Sequence, residues 1–469
     1  MGVERTGRTS AWVRRGRVRA GALAAVIGAI AFVAPTVAAG ERSAPAARPS
    51  AAAAAAQSRT AAVEQSPAAA EPGSELTIYL VTIGPGDAVW ERFGHNALWV
   101  RDAATGQDLA YNYGMFDFDE PGYLRNFIRG RLNYWVQPVD AGAMVRAYAA
   151  ANRSVWVQEL NLTPAQRLEL KRFLEWNSLP ENRTYRYDYY RDNCSTRVRD
   201  AIDMVLGGRL RQVLDAEPSG MTYRAHTRRL VADDLPVFYG LEVAMTRVID
   251  EPLSLWDESF LPMELMENVR RVTVTDGAGR EAPLVKAETL LFEASRPPLP
   301  EGVPDRVPVS LAVGTMLGAA LALSGRGSVR RGPRAVFVLL ATTWAAVTGA
   351  LGALLAFLWA GTDHWVTYGN ENLLQANPLA LLLAVLLPLA AKKNSARVTA
   401  ALRWTATALA LLSIAGLVLQ ALPGFDQVNG EIIALALPVH VGLAAGVVLG
   451  FAPRDQRVRV AALRGATVP

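Results

Sequence analysis

The chain has 469 residues, of which 51% are hydrophobic, a formal net charge of +5 and a single cysteine. One cysteine excludes a disulfide within the chain, and the sequence contains no CxxC pair, metal-ligand cluster, P-loop or dinucleotide fingerprint. We therefore expect neither a metal nor a cofactor. The positive charge follows the membrane topology described below, so it does not indicate a nucleic-acid partner.

The first 39 residues have the pattern of an export signal. Residues 1–20 carry six arginines and one glutamate, and the nineteen apolar residues at 21–39 end in small side chains. This pattern predicts a signal peptide or an N-terminal anchor, because a run of this length is also sufficient to span a bilayer. Residues 40–74 are rich in Ala, Pro and Ser, which predicts a disordered linker.

Residues 75–306 alternate between strand and helix patterns, which predicts an exported α+β domain. A helix is expected to begin after Thr163, with Pro164 in its first position. Strands are predicted at 75–83, 95–101, 108–114 and 184–190, with the second and third joined as a hairpin, and a further hairpin is predicted at 270–292.

Cys194 lies in RDNCSTRVRD, where Asp192 or Asn193 can cap a helix that ends at two glycines. An inert buried thiol, an intermolecular disulfide and a nucleophile are the three possible roles of this cysteine. The polar flanking residues favour the nucleophile. Free N–H groups in the first helical turn, together with Arg191 and Arg197, predict a lowered thiol pKa. The backbone N–H groups at this helix start are also the expected donors for an oxyanion.

A thiol nucleophile requires a base, and the exported segment contains two histidines. His95 lies on a predicted strand and is the candidate base, with a core histidine bonded to backbone as the alternative. His226 lies in a basic helical pattern and is expected to be solvent-exposed. A third polar group should hold the imidazole tautomer, and the candidates are Asn112, on the neighbouring strand, and then Asp117.

The apolar stretches within residues 307–452 predict a transmembrane domain of about five helices. Apolar stretches occupy 307–324, 335–360, 373–391, 404–422 and 432–451, of which the third is short and contains a proline. Lys and Arg follow the first, third and fifth stretches, whereas the loops at 361–372 and 423–431 contain neither residue. The positive-inside rule therefore predicts that residues 40–306 lie outside and that the basic tail at 453–469 is cytoplasmic.

Two further histidines belong to this membrane part. His364, beside Asp363, falls in an outside loop and is a candidate accessory residue because it can approach the exported domain. His440 falls near the middle of the last apolar stretch, where an ionisable residue suggests a path for lipid. A neutral histidine bonded to a neighbouring helix is the favoured interpretation of His440.

The segments WERFGHNALWV, YNYGMFDF and DNCSTRVRD resemble the motifs of the Lnb family of bacterial lipoprotein N-acyltransferases. The resemblance covers about residues 75–450. It implies a circularly permuted papain-like (NlpC-like) fold with a five-helix membrane domain in the inner membrane. It also implies that Cys194 and His95 transfer an acyl chain from a phospholipid to the N-terminal amine of a lipoprotein.

Two other functions are compatible with this sequence. A periplasmic cysteine amidase or peptidase of the cell wall would need the same thiol and histidine, and a non-catalytic envelope binding protein would need neither. Five spans favour the acyltransferase, because a soluble peptide substrate gives no reason for a membrane domain, whereas a lipid donor is met in the bilayer.

Overall fold

The computed structural model describes residues 71–277, 279–326, 331–393 and 395–451. The predicted signal segment, nearly all of the predicted linker and the predicted basic tail lie outside these residues.

A seven-stranded antiparallel sheet forms the centre of the N-terminal domain. The eleven strands of the described residues are β1 Leu76–Ile83, β2 His95–Asp102, β3 Gln107–Met115, β4 Asn133–Asp140, β5 Val155–Leu160, β6 Thr184–Arg186, β7 Pro218–Thr222, β8 Pro252–Ser254, β9 Thr273–Thr275, β10 Glu281–Pro283 and β11 Val285–Phe292. The strand order in the sheet is β11-β5-β1-β2-β3-β4-β6. The strands predicted at 75–83, 95–101 and 108–114 are confirmed as β1, β2 and β3, the three central strands.

Helices cover both faces of this sheet because its central strands bury side chains on both sides. Leu80 and Leu98 face one side, which carries the larger hydrophobic core, and Val81 and Ala97 face the other. The helices of this domain are α1 Tyr123–Ile128, α2 Ala141–Ala150, α3 Pro164–Asn177, α4 Cys194–Val205, α5 Arg209–Leu214, α6 Tyr223–Leu230, α7 Leu235–Ala244, α8 Leu255–Glu258 and α9 Pro262–Val269. Helices α3 and α4 contribute to the larger core, and α2 packs on the opposite face.

The helix predicted after Thr163 is confirmed as α3, with a capping box between Thr163 and Gln166. Two strand predictions are partly wrong. The strand at 184–190 ends at Arg186, because the Asp188 carboxylate accepts two backbone N–H bonds and turns the chain away from the sheet. The hairpin at 270–292 ends at β10, and β11 instead pairs with β5 at the sheet edge.

The C-terminal domain is a bundle of apolar helices. They are α10 Val307–Arg326, α11 Arg331–Gly361, α12 Leu379–Lys392, α13 Ala396–Leu419 and α14 Gly430–Gly450. Four are long and apolar enough to cross a membrane, and a bent pair, Trp365–Leu374 with Leu379–Lys392 at 41°, makes up to five. Helix α12 has 14 residues and extends only about 21 Å, so it reaches membrane-spanning length only together with the preceding turns.

Close backbone approach holds the first and last of these helices together. A Cβ added to Gly442 would lie 2.1 Å from the Gly318 carbonyl oxygen, and one added to Gly325 would lie 2.3 Å from the Gly446 Cα. Helices without a hydrophobic driving force between them associate through such small-residue contacts.

The two domains are joined by buried charges and by a docked loop. Arg228 of α6 lies 2.6 Å from Glu242 of α7 and 2.7 Å from Glu431 at the start of α14. The loop between α11 and α12 packs against the N-terminal domain, where Asp363 pairs with Arg131 and Arg186, both at 3.0 Å. The N-terminal domain is therefore positioned directly above the outer ends of the membrane helices.

Candidate active site

Cys194 is the first residue of α4, and Asn193 is its N-cap. The Asn193 Oδ1 accepts hydrogen bonds from the backbone N–H groups of Ser195 (2.8 Å) and Thr196 (2.9 Å). Its Nδ2 donates to the carbonyl oxygens of Tyr189 and Phe260, both at 3.0 Å. Asn193, rather than Asp192, is thus the cap, and its side chain fixes the backbone from which the thiol projects.

The neighbouring Ser195 ties the start of α4 to the start of β2. Its Oγ is fully buried and lies 2.8 Å from both the Asn96 Oδ1 and the Ser259 carbonyl oxygen. Asn96 directly follows His95, and its Nδ2 donates to the Thr82 Oγ1 at 2.9 Å. These bonds bring the thiol-bearing helix turn and the His95 segment to the same end of the sheet.

The Cys194 thiol is buried among backbone donors at this end. The backbone N–H groups of Asn96, Ser195 and Cys194 itself favour the thiolate form of this side chain. Gly114 of β3 (φ +82°) lies beneath it, and a Cβ added there would be 3.5 Å from the Cys194 Cβ. Burial nevertheless raises the pKa of Cys194, so the expectation of a lowered pKa is wrong, because desolvation outweighs the donors.

His95 is held by Asn112 across the β2–β3 pair. The His95 Nε2 lies 3.0 Å from the Asn112 Oδ1, and the Asn112 Nδ2 donates to the Ala110 carbonyl oxygen at 3.1 Å. The second bond orients the amide so that Oδ1 faces the ring. The ring nitrogen Nε2 is therefore the donor, which leaves Nδ1 with a free lone pair in the neutral tautomer.

Surrounding protein lowers the pKa of His95 to about 4, because desolvation disfavours the imidazolium more than the Asn112 hydrogen bond stabilises it. At neutral pH the histidine is therefore uncharged and able to accept a proton. Together with the raised pKa of Cys194, this describes a neutral thiol and a neutral imidazole in the resting protein.

The other residues predicted for the site are placed differently. Asp117 accepts a hydrogen bond from the backbone of Asp119 in its own loop (2.9 Å), whereas Asn112 contacts the His95 ring. Arg197 pairs with Asp192 and stacks over the Tyr185 ring at 4.3 Å.

His364 contacts the N-terminal domain as a docking residue. Its Nε2 lies 3.0 Å from the Phe127 carbonyl oxygen, and its ring is stacked 6.4 Å from the Tyr189 ring. Arg191, which was expected near the thiol, stacks over the ring of Trp365 from the same loop at 3.6 Å.

Two predictions about the remaining histidines are wrong. His226 is buried rather than solvent-exposed, and its Nε2 lies 2.8 Å from the Glu258 carboxylate. His440 was expected to bond to a neighbouring helix, but within the described residues neither of its ring nitrogens has a hydrogen-bond partner. Its ring instead meets the edge of Trp344 at 6.0 Å.

Arg153, just before β5, is the site residue that sequence reasoning missed. Its Nε donates to the Gly84 carbonyl oxygen (2.9 Å), and its guanidinium lies 5.0 Å from the centre of the Tyr148 ring. The Tyr148 ring is 6.0 Å from that of His95. The positive charge of Arg153 lowers the pKa values of both Cys194 and His95.

The position of Arg153 follows from sheet order. Strands β5, β1 and β2 are neighbours, and Ile83 pairs with both Val155 and His95. The alternating apolar pattern of VWVQEL indicates a strand, but only the pairing shows that Arg153, two residues before it, reaches the Cys194 end of the sheet.

Two domain families match the chain. Residues 64–232 match the Lnb N-terminal periplasmic domain, and residues 311–444 match the Lnb transmembrane domain. No curated protein and no solved structure matches the chain. The fold and these matches define a multi-pass membrane protein with a periplasmic N-terminal domain. The chain belongs to the Lnb family, as its motifs predicted.

Proposed function

We propose that this protein is a cysteine-dependent lipoprotein N-acyltransferase. It takes a fatty acyl chain from a phospholipid, holds it as a thioester on Cys194 and passes it to the N-terminal amine of a lipoprotein. His95 is the proton carrier in both steps, and Asn112 is the residue that orients it.

One observation carries this proposal, namely that the thiol and a base-competent histidine lie at the sheet end nearest the membrane domain. Phe93, two residues before His95, packs in the same hydrophobic cluster as Trp365 and Val366 of the loop between α11 and α12. Tyr190, four residues before Cys194, belongs to that cluster as well. The segments that carry the thiol and the histidine therefore pack against the loop between two apolar helices, which favours a substrate drawn from the bilayer.

The first step forms the thioester. The Cys194 Sγ attacks the ester carbonyl carbon while the His95 Nδ1 takes the thiol proton, which gives a tetrahedral oxyanion. The backbone N–H groups of Cys194 and Asn96 are the donors available to this oxyanion, since the Asn193 side chain already accepts those of Ser195 and Thr196. The C–O bond then breaks, His95 returns the proton to the leaving alkoxide, and a lysophospholipid departs.

The second step reverses these roles. The acceptor amine attacks the thioester carbon, and His95 takes a proton from the amine as the C–N bond forms. Cleavage of the C–S bond releases the thiolate, which recovers the proton from His95. The products are an amide on the lipoprotein and a free Cys194, so the cycle needs no cofactor.

The order of the two residues supports a permuted papain-like (NlpC-like) arrangement for this domain. The base lies on β2, which precedes the thiol-bearing α4 in the chain, and both are brought to one sheet end. This connectivity is the reason to assign the domain to the permuted class.

The test uses the full-length protein in phospholipid nanodiscs without an acceptor. The mass of the intact protein should increase by one acyl chain, and peptide mapping should locate this chain on the Cys194 peptide. Neutral hydroxylamine should remove the acyl chain. Adding a diacylated lipopeptide with a free amine should discharge the thioester and give a triacylated product.

Variants distinguish the possible outcomes. Cys194→Ala should abolish acylation, and His95→Ala should slow it by roughly 10²- to 10⁴-fold. His440→Ala, which alters a histidine in the membrane core, is the matched control and should acylate normally. Discharge only to free fatty acid would make the protein a lipase-like hydrolase. Cleavage of cell-wall peptide without acylation would favour the amidase.

A further inference from the structure

Three large apolar side chains are exposed on neighbouring segments beside the site. Trp90 is 59% exposed, Phe118 is 56% exposed and Leu124 is 63% exposed. The Trp90 and Phe118 rings meet edge-on at 5.6 Å, and Tyr123, adjacent to Leu124 in α1, lies 5.3 Å from Phe118. Clustered exposure of this kind marks an interaction surface rather than scattered surface residues.

This cluster is continuous with the thiol through a row of aromatic rings. A Cβ added to Gly114 would lie 3.5 Å from the Tyr187 ring and 3.5 Å from the Cys194 Cβ, so the ring and the cysteine meet over the same glycine. From Tyr187 the row continues to Tyr134 (4.5 Å), then Phe116 (4.9 Å), then Phe118 (4.9 Å) and finally Trp90. We call Tyr187, Tyr134, Phe116, Phe118, Trp90 and Leu124 the aromatic track.

The track also borders the membrane domain. The carbonyl oxygen of Phe127, near the end of α1, contacts the ring of His364 in the loop between α11 and α12. Gly130 approaches the same loop closely. A Cβ added to Gly130 would lie 2.8 Å from the His364 nitrogen. Aromatic side chains at this level are typical of segments that meet the lipid headgroup region.

The chemistry of the track suits a hydrocarbon better than a polypeptide. Its members carry no charge, and the Tyr134 hydroxyl is already paired with the Tyr123 hydroxyl at 3.2 Å. An extended peptide placed here would leave backbone N–H and C=O groups without partners, which is costly, whereas an acyl chain has no such groups.

We propose that the aromatic track binds one fatty acyl chain of the donor lipid and presents its ester to Cys194. This inference rests on the proposed acyl transfer and adds the surface that recognises the chain. Each buried methylene contributes favourably, so the track selects long chains over short ones.

The test compares two acyl donors on full-length protein in nanodiscs. Cys194 acylation is measured with a long-chain phospholipid and with p-nitrophenyl acetate, and the ratio of the two rates is recorded. For Trp90→Ser/Phe118→Ser the ratio should fall about tenfold, because the chain loses contact with two rings. Trp176→Ser, which removes a 55% exposed tryptophan from α3, is the matched control and should keep the wild-type ratio.

Lipid binding is measured separately on Cys194→Ala with a phospholipid that carries a photoreactive acyl chain. Labelling of peptides that contain Trp90 or residues 116–124 is expected, and the loss of this labelling in the Trp90→Ser/Phe118→Ser background supports the track. An unchanged rate ratio, or labelling elsewhere in the N-terminal domain, would overturn the inference. A wild-type protein that is labelled on the track but never acylated would instead refute the acyl transfer alone.

Discussion

Replacing Asn112 by Asp tests whether His95 works as a neutral base. The His95 Nε2 lies 3.0 Å from the Asn112 Oδ1, so Asn112→Asp places a carboxylate in direct contact with the ring. Two opposite charges about 4 Å apart attract by about 4 kcal/mol at an effective dielectric constant of 20. Burial of the new carboxylate offsets part of this attraction, and an opposite charge at such distances typically changes a pKa by roughly 1 to 3.

In the pH–rate profile of the wild type, the rate of Cys194 acylation should fall on the acid side with a midpoint near the His95 pKa of about 4. The reason is that the protonated ring cannot accept the thiol proton. In Asn112→Asp we expect a midpoint about 1 to 3 pH units higher. Asn112→Ala removes a hydrogen bond that raises the pKa of His95, so its midpoint should lie below the wild-type value. The assay is the single-turnover rate of Cys194 acylation between pH 3.5 and 8.5, with ~0.3-unit steps in pH.

Asp117→Asn is the matched control, since the Asp117 carboxylate bonds only within its own loop among the described contacts. Its acid limb should coincide with that of the wild type. Circular dichroism at each pH shows that loss of rate precedes any loss of fold. A folded Asn112→Asp whose acid limb coincides with the wild-type curve would refute the role of His95 as the base.

Three further predictions concern the charges and the packing around the site. Arg153→Gln removes a charge that lowers the pKa of Cys194, so thiol alkylation at pH 8 should slow, by about tenfold for each unit of pKa. Ser195→Ala leaves the buried Asn96 Oδ1 without its donor and should cost about 1–3 kcal/mol of unfolding free energy, measured by thermal unfolding in detergent. Arg228→Met leaves Glu431 unpaired at the domain junction and should cost about 3–5 kcal/mol in the same assay. The exposed Arg247, whose replacement by Met should cost less than about 1 kcal/mol, is the control, and equal losses for the two arginines would contradict the buried network.

The local structure around the thiol could be predicted because each feature depends on residues close together in the chain. Asn193 accepts hydrogen bonds from the N–H groups two and three residues later, and Thr163 accepts one from the N–H three residues later at the start of α3. Short-range sequence therefore determines both helix starts. The central strands could be predicted for the same reason, since their apolar residues alternate over eight or nine positions. The apolar length of the last two membrane helices likewise needs no knowledge of their neighbours.

The chemical state of the site was decided by tertiary structure. Helix position alone argues for an acidic thiol, but the surrounding protein removes water from Cys194 and raises its pKa, and this burial is a property of the whole domain. His226 is a second case in which tertiary structure decided burial. Its polar sequence neighbours suggest an exposed side chain, but the folded chain buries it against Glu258, 32 residues away. Arg153 joins His95 only because β5, β1 and β2 lie side by side. Sequence by itself identified Cys194, His95 and Asn112 as the candidate site residues, whereas pairing between distant strands determined their partners and their protonation, because desolvation and charge act through space rather than along the chain.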